Sequence, residues 1–202
     1  MKKFLLSTAV ILSGAMLAGH ATAADLIVDE PAMQAASTGV SGFYFEIYGG
    51  ATLEGSSTYN GTDYDMDAAA AFGASFGLMT PVPGLAVELD VMKSGGNYST
   101  EDYGVENYSL MINGEYSVPV NDMFEVYGAV GVGVINTVYY SDDYSGVGAG
   151  YQVAIGARAH VTDGVSLFGE LKYQNSFSEI DANGYDIQYP TLNALVGVRF
   201  AF

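Results

Sequence analysis

The chain has 202 residues, of which 50% are apolar and only 14% are charged, whereas an ordinary soluble domain is about a quarter charged. Lys and Arg number 6 against 23 Asp and Glu, a formal net charge of -17, and this balance excludes nucleic-acid binding, which depends on basic side chains that neutralise phosphates. The absence of Cys excludes disulfides, thiolate chemistry and Cys-ligated metal sites.

Residues 1–23 have the three-part pattern of a cleaved secretory signal. Two lysines precede the apolar run FLLSTAVILSGAML, and small residues follow up to an A-x-A cleavage site at Ala21-Thr22-Ala23. The run is too short for a transmembrane helix, which needs about 20 apolar residues. We therefore expect export and cleavage, followed by a flexible periplasmic arm over residues 24–41, where no apolar period is sustained.

From residue 42 onward, apolar residues recur at every second position. This period is typical of β-strands, because successive side chains of a strand point to opposite faces. Phe43, Phe45 and Ile47 share one face of the first strand, for example, and Tyr44, Glu46 and Tyr48 share the other. The pattern predicts eight strands, over residues 43–54, 67–79, 84–94, 107–118, 124–137, 148–161, 165–177 and 190–202.

The links between these strands alternate in length. The tight links carry Pro, Asn, Asp or Gly, which suit turns, and comprise residues 80–83, 119–123 and 162–164. The longer links are rich in Gly, Ser, Asn, Tyr and Asp and comprise residues 55–66, 95–106, 138–147 and 178–189. Short and long links thus lie at opposite ends of an up-and-down meander. We predict an all-β domain over 42–202, an eight-stranded antiparallel transmembrane β-barrel.

The placement of charge predicts which face of the barrel is enclosed. Lys93 is the one charged strand residue on the apolar face, close to a strand end where its ammonium can reach lipid headgroups. A charge at mid-bilayer on the lipid face would cost about 2–4 kcal/mol. All other charged strand residues fall on the opposite face, namely Glu46, Glu88, Asp90, Glu115, Glu125, Arg158, Glu170, Lys172 and Arg199. We expect the apolar face to contact lipid; a soluble sandwich with aromatic residues in its core is the alternative.

The last predicted strand reads TLNALVGVRFAF and ends at Phe202, with Phe200 and Gly197 before it. It resembles the C-terminal assembly signal of bacterial outer-membrane barrels, although Leu195 occupies a position that is usually polar. With the export signal and the eight strands, residues 42–202 resemble the small outer-membrane surface barrels of the OmpA transmembrane-domain, OmpX and opacity-protein type.

This resemblance implies a location in the outer membrane of a Gram-negative cell, with membrane lipid and lipopolysaccharide as partners. It implies transit with periplasmic chaperones and insertion by the barrel assembly machinery. It also implies that the long links lie outside the cell, where they could contact a host or extracellular ligand, and that the tight turns face the periplasm.

The enclosed charges suggest a structural role for the lumen. An eight-stranded barrel is just wide enough for side chains to fill it, so we expect an ion-pair network that plugs the lumen and fixes strand register. Our hypothesis is that Arg158 and Arg199 each bridge several carboxylates. A narrow porin-like conduit is the alternative.

The remaining candidates for chemistry are weaker. Asp63, Asp65 and Asp67 alternate in an outer link and are weak candidates for binding a divalent cation, but Ala68 stands where an EF-hand loop needs Gly. His160, the only His after the signal, lies beside a tight turn, away from the outer rim where barrel hydrolases act. We therefore predict no cofactor and no catalysis, and a structural, surface-antigen or adhesin-like function; a barrel hydrolase is the least favoured alternative.

Overall fold

The computed structural model describes residues 42–53, 55–59, 61–97, 104–139, 144–182 and 184–202. The predicted signal (1–23) and arm (24–41) lie outside the described residues. Among the described residues, no helix has the length and apolar character needed to cross a membrane.

The described chain is built from strands that belong to two sheets. In chain order they are β1 (Phe43–Thr52), β2 (Gly55–Tyr59), β3 (Thr62–Met66), β4 (Ala69–Met79), β5 (Leu85–Asn97), β6 (Gly104–Pro119), β7 (Phe124–Tyr139), β8 (Tyr144–Thr162), β9 (Val165–Ser176), β10 (Ile180–Ala182), β11 (Tyr185–Gln188) and β12 (Thr191–Ala201). Eight of them close into an antiparallel barrel in the order β1-β12-β9-β8-β7-β6-β5-β4, with β4 paired back to β1. The predicted eight-stranded barrel is confirmed.

The two faces of each barrel strand differ sharply in exposure. On β5, Val87, Leu89 and Val91 are each 47% exposed, whereas Asp90 between them is fully buried. Closure of the ladder leaves no unpaired barrel edge, so backbone groups are satisfied internally, as a membrane-spanning sheet requires. The apolar faces therefore form the outer wall of the barrel and the charged faces form its lumen.

Turn chemistry explains the short connections at one end of the barrel. Asn121 Oδ1 accepts hydrogen bonds from the backbone N–H groups of Met123 and Phe124, both at 2.9 Å. Gly84 has a φ of 78°, a left-handed conformation that favours glycine. These local features reverse the chain within a few residues, so β4–β5 and β6–β7 are hairpins.

The structure corrects the prediction for the long links. Pairing of β5 with β6 continues to Asn97 and Gly104, and pairing of β7 with β8 continues to Tyr139 and Tyr144, so much of 95–106 and 138–147 is strand. The other two links form a second sheet in the order β10-β11-β2-β3. The Gly- and Asp-rich composition of these links suggested loops. The pairing of β2 with β11 joins segments that are distant in the chain, so the local sequence carries no signal of it.

Apolar side chains from this second sheet and its flanks pack into the mouth of the barrel that lies away from the tight turns. Ile180 of β10 lies in a buried cluster with Met111 and Ile135 of β6 and β7. Tyr189, which follows β11, is buried with Met66 and Val105. We call these two clusters the mouth clusters. They cover the end of the lumen that lies opposite the tight turns.

Candidate functional site

The candidate site is the barrel lumen, into which the strands direct the charged residues singled out from the sequence. Nine residues were predicted to face the lumen, and all nine have their ionised groups in contact with other lumenal side chains. Glu125 and Glu170 are partly exposed. The other seven are buried, namely Glu46, Glu88, Asp90, Glu115, Arg158, Lys172 and Arg199.

The half of the lumen nearer the tight turns contains two arginines that share one carboxylate, a group we call the arginine cluster. Glu115 accepts hydrogen bonds from Nη2 of Arg158 at 3.1 Å and from Nη2 of Arg199 at 2.8 Å. Arg199 Nε also donates to Glu46 Oε1 at 2.5 Å, and Arg158 Nη1 donates to Glu125. These five residues come from β1, β6, β7, β8 and β12, so the cluster connects five of the barrel strands.

A second ion-pair group lies around Lys172. Its Nζ is 2.9 Å from Asp90 Oδ2 and 3.3 Å from Glu170 Oε1. The Tyr48 hydroxyl donates to Asp90 Oδ1 at 2.5 Å, and the Lys172 ammonium lies 4.6 Å from the centroid of the Tyr48 ring. Both Asp90 oxygens and the Lys172 ammonium therefore have a partner of opposite charge or a hydrogen-bonding group.

Neutral amides that sequence reasoning missed join and extend the charged groups. Asn113 Nδ2 donates to Glu88 Oε1 at 2.8 Å, and Gln152 Nε2 donates to Asn113 Oδ1 at 2.6 Å and to Asp90 Oδ2 at 3.1 Å. Gln174 Nε2 then donates to Gln152 Oε1 at 2.6 Å. These amides could have been identified in the sequence from their position on the same strand face as the charged residues.

The lumen carries more negative than positive charge. Six carboxylates face three basic side chains, an excess of 6 − 3 = 3 negative groups when all are ionised. Glu88 is held by the Tyr44 hydroxyl at 3.1 Å and by the Asn113 amide. Oxygens of Glu46, Glu88 and Glu115 lie within 4.8 Å of one another, but Arg199 already donates to Glu46 and Glu115. The positive charge beside these three carboxylates is therefore supplied by the Arg199 guanidinium.

An apolar belt crosses the lumen beside the ionised groups. The Phe168 ring makes edge contacts with Tyr48 and Tyr127, with centroids 6.4 and 6.5 Å apart. Leu195 is buried in the same cluster. This packing explains why Leu195 departs from the polar residue that is usual in the assembly signal.

The other assembly-signal residues occupy a barrel seam near the tight turns. A Cβ at Gly197 would collide with the Phe168 ring and with Ile47 O, so only glycine fits there without a shift. Phe202 stacks on Phe43 with centroids 5.7 Å apart, and its backbone N–H donates to Phe43 O at 3.0 Å. Phe200 is paired with Phe45 in the ladder between β12 and β1.

His160 lies at the tight-turn end, where Nδ1 is 2.9 Å from Ser166 Oγ and Nε2 is 3.7 Å from Glu125 Oε2. Nucleophilic catalysis needs a hydroxyl that a substrate can reach and an acid that orients the base. Ser166 is buried, and Glu125 already accepts from Arg158. The pair of His160 and Ser166 therefore offers no hydroxyl that a substrate could reach.

Asp63, Asp65 and Asp67, the weak candidates for a cation site, are not brought into one group. Asp63 and Asp65 lie on β3, and the Asp63 carboxylate accepts a hydrogen bond from the Thr58 hydroxyl at 2.7 Å. The Asp67 backbone N–H donates to Asn97 O at 2.8 Å. Among the described residues, the only set of three or more acidic, His or Cys side chains close enough to share an ion lies in the lumen.

Comparison with known proteins agrees with this architecture. No curated protein matches the chain. The crystal structure of Neisserial surface protein A superposes with a TM-score of 0.61 at 16% identity, covering 81% of this chain and 99% of that one. The N-terminal β-barrel domain of Pseudomonas aeruginosa OprF gives a TM-score of 0.52 at 14% identity, with coverage of 81% and 98%.

The sequence family that matches spans nearly all of the chain. Its description is "Outer membrane protein beta-barrel domain", and it matches residues 17–200. Its barrel architecture is that of the described strands, and its members lie in the outer membrane, which agrees with the apolar outer wall. The chain belongs to the family of outer-membrane protein β-barrel domains.

Proposed function

We propose that this outer-membrane barrel is a structural and surface-interaction protein without catalytic activity. One observation carries the proposal: buried and mutually bonded side chains occupy the lumen at the arginine cluster and around Lys172, and the mouth clusters pack residues of the second sheet and its flanks against barrel strands. The interior of a filled barrel offers no room for a substrate. Its role is then that of a rigid anchor in the membrane. The residues available for contact with a partner are then those of the outer links.

The energetics of the lumen favour a plug over a conduit. Removing one partner of a buried ion pair typically costs about 3–5 kcal/mol, because the other charge is left uncompensated. An ion moving through the lumen would have to separate Arg199 from Glu46 and Glu115, whose hydrogen bonds are 2.5 and 2.8 Å long. The arginine cluster thus supports a barrel that remains closed in its ground state.

The second sheet supplies the surface for interaction. Asp63 and Asp65 of β3 and Asp181 and Asp186 of β10 and β11 are exposed, and Asp181 is paired directly with Asp186 across the strands. Strands hold such side chains in fixed positions better than loops do. An extracellular or host ligand would meet this surface first, and lipopolysaccharide would surround it.

The experiment combines single-channel recording with labelling of intact cells. We expect the refolded full chain in planar bilayers to give no discrete conductance steps, and antibodies raised against the β2–β3 hairpin to label intact cells. Discrete steps would contradict the plug. Labelling only after the cells are permeabilised would contradict the surface role.

A cation-selective channel is the second candidate function, and the larger number of carboxyl groups than of basic side chains in the lumen favours it. In that case, recordings would show steps whose reversal potential in a salt gradient follows the cation. Replacement of Arg158 and Arg199 together with Ala would enlarge the steps, because the two guanidinium groups occupy the lumen near the tight turns.

A further inference from the structure

Glu88 is the lumenal carboxyl that has no basic partner in the part of the chain that the structure describes. Each of the other five carboxyls forms an ion pair with Arg158, Lys172 or Arg199. No such pair forms at Glu88, which is only 6% exposed. A buried carboxylate without a counter-charge is costly, because it loses its hydration and gains no cation in exchange.

The hydrogen-bonding partners that Glu88 does have are neutral. The Asn113 amide donates to Oε1 at 2.8 Å, and the Tyr44 hydroxyl lies 3.1 Å from Oε2. A protonated carboxyl fits both partners, because its carbonyl oxygen accepts from the amide and a hydroxyl can either donate or accept. These two contacts therefore satisfy a neutral acid but do not compensate a negative charge.

The neighbouring charges make an ionised Glu88 still less favourable. One of its carboxyl oxygens lies within 4.8 Å of an oxygen of Glu46 and an oxygen of Glu115. Because Arg199 donates to both of those carboxylates, an ionised Glu88 would compete with them for the same guanidinium. The ionisable groups around Glu88 come from β1, β5, β6, β8, β9 and β12, and are Tyr44, Glu46, Asp90, Glu115, Arg158, Lys172 and Arg199.

Glu88 also lies between the two ion-pair groups of the lumen. On one side, the ring of its partner Tyr44 stacks against a guanidinium of the arginine cluster. On the other side, its partner Asn113 accepts a hydrogen bond from Gln152, which also donates to the ion-pair group around Lys172. The charge on Glu88 therefore affects the contact between the two groups.

We propose that Glu88 is a proton-binding site and that its proton keeps the two ion-pair groups joined. Folding takes up this proton from water, and unfolding returns it. Loss of the proton from the folded barrel makes Glu88 a further competitor for Arg199 and weakens the arginine cluster. The inference rests on the lumenal plug proposed above and adds that the strength of this plug depends on pH.

The test replaces Glu88 with a side chain that cannot ionise. Glu88→Gln keeps the size of the side chain and its neutral hydrogen bonds, whereas the control Asp122→Asn removes an exposed carboxylate beside a tight turn. Each full-length protein is refolded into phospholipid vesicles. Infrared spectra record the carbonyl stretch of protonated carboxyls, which is separate from the bands of carboxylates. Urea titrations from about pH 5 to about pH 8, where a glutamate of the unfolded chain is ionised, record the unfolding equilibrium.

At neutral pH, we expect the unaltered protein and Asp122→Asn to show a protonated-carboxyl band that Glu88→Gln lacks. Because the folded state holds one proton that the unfolded state has released, the stability of the unaltered protein falls as the pH rises. Its unfolding equilibrium constant should increase about tenfold more per pH unit than that of Glu88→Gln, until the folded barrel itself loses the proton. Asp122→Asn should follow the unaltered protein.

Should Glu88→Gln fail to fold, Tyr44→Phe replaces it, since loss of the hydroxyl contact should shift the band without removing it. A protonated-carboxyl spectrum that neither variant changes would overturn the proposal, and so would parallel pH profiles of the unaltered protein and Glu88→Gln. Discrete conductance steps would contradict the plug alone, because the infrared band and the pH profile report the proton whether or not ions pass through the lumen.

Discussion

Glu115 is the residue on which the arginine cluster depends, because two guanidinium groups donate to it while each also binds a second carboxylate. Arg199 in turn lies 3.6 Å from the centroid of the Tyr44 ring. The cluster therefore combines charge-assisted hydrogen bonds with stacking, a combination that suits Arg better than Lys. Removal of the two arginines would leave the buried carboxylates Glu46 and Glu115 without a cation.

We predict that Arg199→Met lowers the free energy of unfolding by roughly 3–5 kcal/mol, because Glu46 loses its closest cation and Glu115 loses one of two. Urea titration of the refolded barrel, followed by tyrosine fluorescence because the chain has no Trp, measures the change. Lys93→Met is the control, since the pair of Lys93 with Glu106 is partly exposed and is worth about 0–1 kcal/mol.

A companion variant separates charge from packing in this prediction. Adding Glu46→Gln to Arg199→Met removes one uncompensated charge and should recover part of the lost stability. If the double variant is less stable than Arg199→Met alone, the contribution of Arg199 is packing against Tyr44 rather than ion pairing.

At the residue scale, strand parity predicts which face a side chain lies on but not which partners it meets. A charged residue on the face opposite an apolar one is expected in the lumen of a membrane barrel, which is why parity singles out Asp90 and Lys172. Gln174 shares their face, but its partners are not encoded locally. Only the closure of the barrel brings it to 2.9 Å from Ser109 on a distant strand.

At the scale of elements, local chemistry determines the hairpins, and tertiary pairing determines the second sheet. Asn60-Gly61 is a strong hairpin signal between β2 and β3, and Gly61 has a φ of 76°, so this element could have been predicted. The pairing of β11 with β2 joins two links that are far apart in the chain. Strand periodicity carries no information about such a pair.

We predict that Gly148→Val detaches β10 from the barrel without opening the barrel. A Cβ at Gly148 would lie 2.7 Å from Ile180 Cγ1, so the added methyl groups push Ile180 out of its mouth cluster. Limited proteolysis of the variant in intact vesicles should then cleave the chain between Phe177 and Pro190 faster than in the unaltered protein.

Gly128→Val is the matched control for this prediction. It makes the same substitution on the lipid face, where the nearest atom to an added Cβ is Ala154 O at 3.7 Å. Equal cleavage of Gly148→Val and Gly128→Val would mean that Ile180 does not anchor the second sheet.

At the scale of the whole molecule, closure of the barrel depends on the seam between its first and last strands. β1 and β12 pair from Tyr44 with Ala201 to Thr52 with Asn193, and this contact links chain segments at the greatest separation in the barrel. The alternation of short and long links predicted the meander. The closure itself follows from strand number, because eight twisted strands bring the two edges together.

We predict that Gly50→Val opens this seam, whereas Gly49→Val leaves it closed. A Cβ at Gly50 would collide with the Ala194 carbonyl on β12, but a Cβ at Gly49 would lie 3.8 Å from its nearest neighbour, Ala71 O. A closed barrel resists detergent because no strand edge is free, so unboiled protein should migrate faster than boiled protein on SDS gels. Gly49→Val should keep this shift and Gly50→Val should lose it. If Gly50→Val also keeps it, the barrel tolerates a displaced seam, and its resistance to detergent comes from the lumen network instead.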